Sequence, residues 1–207
     1  MDERGCFSDG DLLIFLSQLI ASFGLRKPFE SASARKKFSN GNLTGVMAEI
    51  KRHFNLGCRL TMVYVKGDIY PFLAKSNIGD DLLRADFLEK ALGGVKDPMV
   101  VLSPECVPMF GTQDFKNTLF RIAVDVTLFS TLPFETFASV AAHEVSHILL
   151  YCVYHPLQDI EAAVDLTAMV MGFCELMHVG SSHERFEVGY LTKPQRDLVY
   201  GHIKRLL

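Results

Sequence analysis

The chain has 207 residues, of which 49% are hydrophobic and 22% charged, with a formal net charge of −3. That suits one globular domain with a real core, or one domain with a short N-terminal appendage over 1–40. The charge balance excludes a broad phosphate-binding surface: the short basic runs Arg35-Lys36-Lys37, Lys51-Arg52 and Lys204-Arg205 read as solvated faces, so no nucleic acid is expected as a partner.

The five cysteines (Cys6, Cys58, Cys106, Cys152, Cys174) are odd in number and include no C-x-x-C pair. They argue against a disulfide framework and for a reducing compartment. Met1-Asp2-Glu3-Arg4 is not the basic opening of a secretory signal, and the apolar stretch 12–23 is too short to cross a bilayer. The expectation is a cytoplasmic protein with no membrane partner.

In chain order, 11–23 reads as a helix with Ser8 or Asp9 as cap and Gly24 as stop. Residues 26–41 are polar and read as loop. Leu43, Val46, Met47, Ile50 and Phe54 fall at helical spacing, which predicts an amphipathic helix over 43–55. Residues 58–65 are β-prone and read as a strand, with a weaker one over 69–73. A helix is expected over 80–92, then a short buried strand over 99–102. The segment 114–130 alternates at Ile122, Val124, Val126 and Leu128, yet its length favours a helix. Thr131-Leu132-Pro133 opens a strongly apolar helix over 134–153, with Glu135 in its first turn. Another follows over 159–178, and the capping box Thr192-x-x-Gln195 opens a last one to the C-terminus. The order implies an α+β fold: a small sheet, with a mostly helical C-terminal half.

The chemistry sits in Val140-Ala141-Ala142-His143-Glu144-Val145-Ser146-His147. H-E-x-x-H inside a helix puts two imidazoles on one face, within reach of one tetrahedral ion. Glu144, one step round, is placed to take a proton from water activated by zinc. The flanking Phe137, Val140, Val145, Ile148 and Leu149 predict a buried helix, where two histidines and a glutamate are costly without a partner. The bland alternative is a pair of core histidines with Glu144 facing solvent. Two imidazoles leave a third ligand to find. Glu161 and Asp165 lie one helical turn apart on the next helix: Glu161 is first choice, with Asp165 then accepting the free N–H of a ligand histidine, and Asp165 itself is the alternative.

H-E-x-x-H on one helix and E-x-x-x-D on the next resembles the gluzincin branch of the zincin metallopeptidases, matched by His143, Glu144, His147, Glu161 and Asp165 over about residues 134–175. The resemblance implies a zincin-like fold, with a small sheet packed against the active-site helix and an edge strand (99–102 or 58–65) that holds an extended peptide. It implies zinc on His143, His147 and Glu161, Glu144 as general base and then acid, and a peptide or protein substrate. The thirteen residues between His147 and Glu161 are fewer than in thermolysin-like enzymes. The stretch Glu161–Gly172, with Gly189-Tyr190-Leu191, is also similar to small uncharacterised bacterial proteins carrying H-E-x-x-H.

An oxyanion partner is needed beyond the metal. Tyr190 on its turn is first choice, ahead of Tyr151, Tyr154, His178 and His183, each of which also has an ordinary structural reading. Cys106 is a further candidate ligand, or simply a half-buried thiol. His53 and His202 read as surface positions, and His155 as a helix end. Two rival functions remain beside the peptidase: a catalytically inactive zincin-like metal-binding or regulatory module, and a helical domain without metal.

Overall fold

The computed structural model describes residues 7–69, 71, 98–102, 104, 106–129, 131–180, 182–183, 186–187 and 189–207. The helix expected over 80–92 and nearly all of the strand expected over 69–73 lie outside these residues. The fold is α+β, and the chain divides into two compact units, Met1–Leu56 with Pro133–Leu207, and Gly57–Leu132.

The first unit is helical. Helix α1 (Asp9–Phe23) starts at a capping box in which Ser8 and Asp11 satisfy each other's backbone amides, and Gly24 at φ 68° ends it. Leu12, Leu16 and Leu19, on one face, are fully buried, so residues of the 1–40 stretch belong to this unit's core. Helix α2 (Ala32–Ser39) corrects the loop reading of 26–41. Its polar sequence hides a helix because tertiary contacts hold it: Ser33 and Lys37 bond Glu49, and Phe38 packs on Phe134 and Phe137. Helix α3 (Leu43–His53) follows, capped by Asn42.

In the second unit, β1 (Arg59–Val65) pairs parallel with β3 (Leu119–Asp125), and β2 (Met99–Leu102) pairs antiparallel on the other side of β3. Val65, Ile69, Leu102 and Ala123 form its core cluster. The helix expected over 114–130 is corrected here. A short α4 (Gln113–Asn117) leads into β3, and a short α5 (Val126–Phe129) follows it. As the central strand, β3 buries Ile122, Ala123 and Val124 on both faces, so its sequence reads as an apolar run. Asp125 stops it by accepting from the Thr127 amide and hydroxyl.

Helix α6 (Phe134–Cys152) returns the chain to the first unit and is buried along nearly its whole length. Its small polar residues turn inward on their own helix, as Ser146 Oγ does on the Ala142 carbonyl. Helix α7 (Glu161–Ala168) packs on α6 and on α1. The expected single helix over 159–178 is interrupted: a π-helical turn, Met169–Phe173, separates α7 from α8 (Cys174–Gly180). Gly172 sits at φ 97°, and the carbonyls the turn releases are taken from outside by the Arg26 and Phe29 amides and by His53 Nε2. The stretch Glu161–Gly180 is long and apolar enough to span a membrane, but 78% of its most apolar 18-residue window is buried within the protein, as in a core helix. Strand β4 (Ser182–His183) pairs antiparallel with β5 (Phe186–Glu187), and α9 (Lys193–Leu206) opens at the expected Thr192–Gln195 capping box.

Candidate metal centre

Helix α6 presents His143 and His147 one turn apart, both facing α7. Their Nε2 atoms lie 3.2 Å from each other. Glu161, the first residue of α7, brings Oε2 to 3.3 Å from His143 Nε2 and 3.4 Å from His147 Nε2. Among the described residues, these three form a group that can hold a metal ion. Glu161 Oε2 is buried and accepts no well-formed hydrogen bond. Its surroundings are two imidazole nitrogens, an arrangement that calls for a shared cation or proton.

Asp165, one turn further along α7 and 1% exposed, supports the group from behind. Its Oδ1 lies 2.8 Å from His143 Nδ1. A carboxylate accepts only, so that nitrogen carries the proton, and in the neutral ring the Nε2 lone pair then points at the centre. Asp165 Oδ2 accepts the Tyr190 amide at 2.6 Å and the Leu191 amide at 3.1 Å. Glu144 is also buried, at 8% exposure, beside His143 on the helix.

The electrostatics of the group favour positive charge. Burial pushes the His143 pKa down, but Asp165 and then Glu161 outweigh it and hold the pKa well above the usual imidazole value. Burial pushes Glu161 up, but the facing His143 and His147 hold it far below the ordinary carboxylate range. Two carboxylates against two imidazoles that can be neutral leave a charge that suits a divalent ion.

Two tyrosines flank the ligand rings. Tyr190 lies over His143 at 5.9 Å between centroids and 18° between planes, and Tyr151 over His147 at 6.4 Å and 22°. The Tyr151 hydroxyl donates to Asp159 Oδ1 at 2.9 Å. Of the other sequence candidates, His178 has partners of its own, and Tyr154 and Cys106 are exposed. His178 stacks on Tyr200 at 4.3 Å and faces Asp197; Tyr154 is exposed beyond the end of α6; Cys106 is exposed in the second unit. The side chain of His183 lies outside the described residues. His53 and His155 are structural: His53 bonds the Met171 carbonyl, and His155 accepts the Leu157 amide and meets Ser22 Oγ. Sequence reasoning missed that the Gly189–Leu191 turn closes on Asp165 through its backbone, a contact that leaves no side-chain signal beyond Gly189 itself.

Comparison of the chain with family models, with curated proteins and with solved structures finds no match.

Proposed function

We propose that the chain is a zinc-dependent metallopeptidase, with zinc held by His143, His147 and Glu161. The observation that carries this reading is the triangle of donor atoms, with sides of 3.2, 3.3 and 3.4 Å. A tetrahedron with metal–ligand bonds of about 2.0–2.1 Å has edges of about 3.3–3.4 Å. Two imidazoles and one carboxylate form the three-ligand set of catalytic zinc sites, which leaves a fourth position open. When bound, zinc supplies Lewis acidity, lowering the pKa of water and polarising a carbonyl.

The residues of the chain do the rest. Glu144 accepts a proton from the attacking water and returns it to the leaving amine. Asp165 holds His143 in the tautomer that offers Nε2 to the ion. Tyr190, beside His143, is the residue we assign to the developing oxyanion. The peptide substrate follows from the resemblance of the H-E-x-x-H and E-x-x-x-D pair to gluzincins.

Elemental analysis of untagged protein tests the reading. About one zinc per chain is expected, lost in His143→Ala and Glu161→Ala. Glu144→Gln should keep the metal and lose peptide hydrolysis by several orders of magnitude. A wild type without transition metal, even after reconstitution, overturns the centre. A chain that holds zinc but cleaves no peptide library is instead a metal-binding module.

A further inference from the structure

The turn Gly189-Tyr190-Leu191 stands more than twenty residues beyond Asp165 in sequence, yet both amides that follow Gly189 converge on Asp165 Oδ2, at 2.6 and 3.1 Å. This splits the work of one carboxylate. Oδ2 is held by backbone, while Oδ1 is left for His143 Nδ1 at 2.8 Å. We propose that this turn is a working part of the metal centre: by clamping Asp165 it fixes the orientation of His143 and so sets the affinity for the ion. The inference rests on the metal-centre reading above and assigns positioning roles to residues with no ligand atom.

Three observations carry it. First, the turn admits only glycine at its head. Gly189 has φ 85°, and a Cβ there would lie 2.6 Å from Asp165 Oδ2 and 2.9 Å from Oδ1. The backbone approaches the carboxylate as closely as it can, and any side chain would push the two apart. Second, the turn is anchored from behind. The buried Arg196 donates to the Leu191 carbonyl, the Thr192–Gln195 box closes the next peptide, and Gln195 reaches the Phe7 carbonyl at 3.0 Å. The clamp is thereby tied to the first turn of α9. Third, the Tyr190 ring lies nearly parallel to His143, so one short segment restrains the imidazole through its face and through its Nδ1 partner. Rotating the Asp165 carboxyl would break three charge-assisted bonds together.

A loosened support of this kind typically costs about 10–100-fold in metal affinity. The test measures zinc dissociation constants by chelator competition for wild type, Gly189→Ala, Asp165→Ala and the double variant, with the helical signal of each checked without metal. Gly189→Ala should weaken zinc by that factor in the wild-type background. It should cost little once Asp165→Ala has removed the atoms it strikes. No loss, or the same loss in both backgrounds, overturns the inference and leaves the centre standing.

Wild type alone supplies a second readout, in case a variant does not fold. Coupling is reciprocal, so zinc should slow hydrogen exchange at the Tyr190 and Leu191 amides beyond its effect at Val199 in α9. Equal slowing overturns the proposal. Wild type that takes up no zinc removes the centre itself, and the inference with it.

Discussion

Histidines in this protein are put to two opposite uses. At the centre, carboxylates favour the charged form of His143. Away from it, burial pushes the half-buried His53 and the buried His155 down, and both rings are tied into the fold. For a histidine whose folded pKa lies below its unfolded value of about 6.5, the unfolded chain binds more protons as pH falls. Stability is therefore full above about pH 6.5 and is lost as pH drops through the folded pKa. Metal-free His143 acts with the opposite sign, so the comparison must be made between variants. Urea midpoints between about pH 7.5 and 5 should fall less steeply for His53→Gln than for wild type. Parallel slopes would show that His53 is not held neutral.

At the scale of elements, the break in the helical stretch Glu161–Gly180 is set by one glycine. Gly172 occupies φ 97°, and a Cβ there runs into the Lys27 carbonyl and comes within 2.8 Å of His53 Nε2. Gly172→Ala should destabilise by about 1–3 kcal/mol from the backbone conformation alone, and by more through the collision. Gly201 in α9 is the contrast: its φ is ordinary and a Cβ would meet nothing within 4 Å. Gly201→Ala should stabilise by about 0.5–1 kcal/mol. Chemical denaturation measures both, and effects of equal sign would contradict the geometry. The segment 26–29 runs alongside this break. Its amides serve the carbonyls that the π-helical turn releases, so an apparent loop is part of the ladder.

For the molecule as a whole, the candidate centre joins α6 to α7, and through Asp165 to the turn before α9. Any ion held there binds only the folded arrangement, since the three ligands are assembled from two helices. Zinc at about a hundredfold over its dissociation constant should add about 2.7 kcal/mol. Thermal unfolding should therefore move to higher temperature with zinc and back with a chelator. A midpoint indifferent to both would remove the linkage. The unit that carries the centre also buries α1, so its core draws on both ends of the chain.

Short-range physics was legible in the sequence. The cap at Ser8, one of two residues the sequence offered, the capping box at Thr192, the strands near 58–65 and 99–102, and the apolar helix from 134 each depend on residues within a few positions of one another. The two imidazoles of H-E-x-x-H share a face because helical spacing alone puts residues i and i+4 there. Other features were decided by distant partners. Glu161 and Asp165 share a face of α7 by the same spacing, so only the docking of α7 on α6 sends Glu161 Oε2 to the two Nε2 atoms and Asp165 to Nδ1. The polar α2 is a helix because Glu49, Phe134 and Phe137 wait for it, and β3 is a strand because neighbours cover both its edges. The clamp on Asp165 is made by backbone amides, which every residue but proline carries, so only the tertiary structure could single out Tyr190 and Leu191.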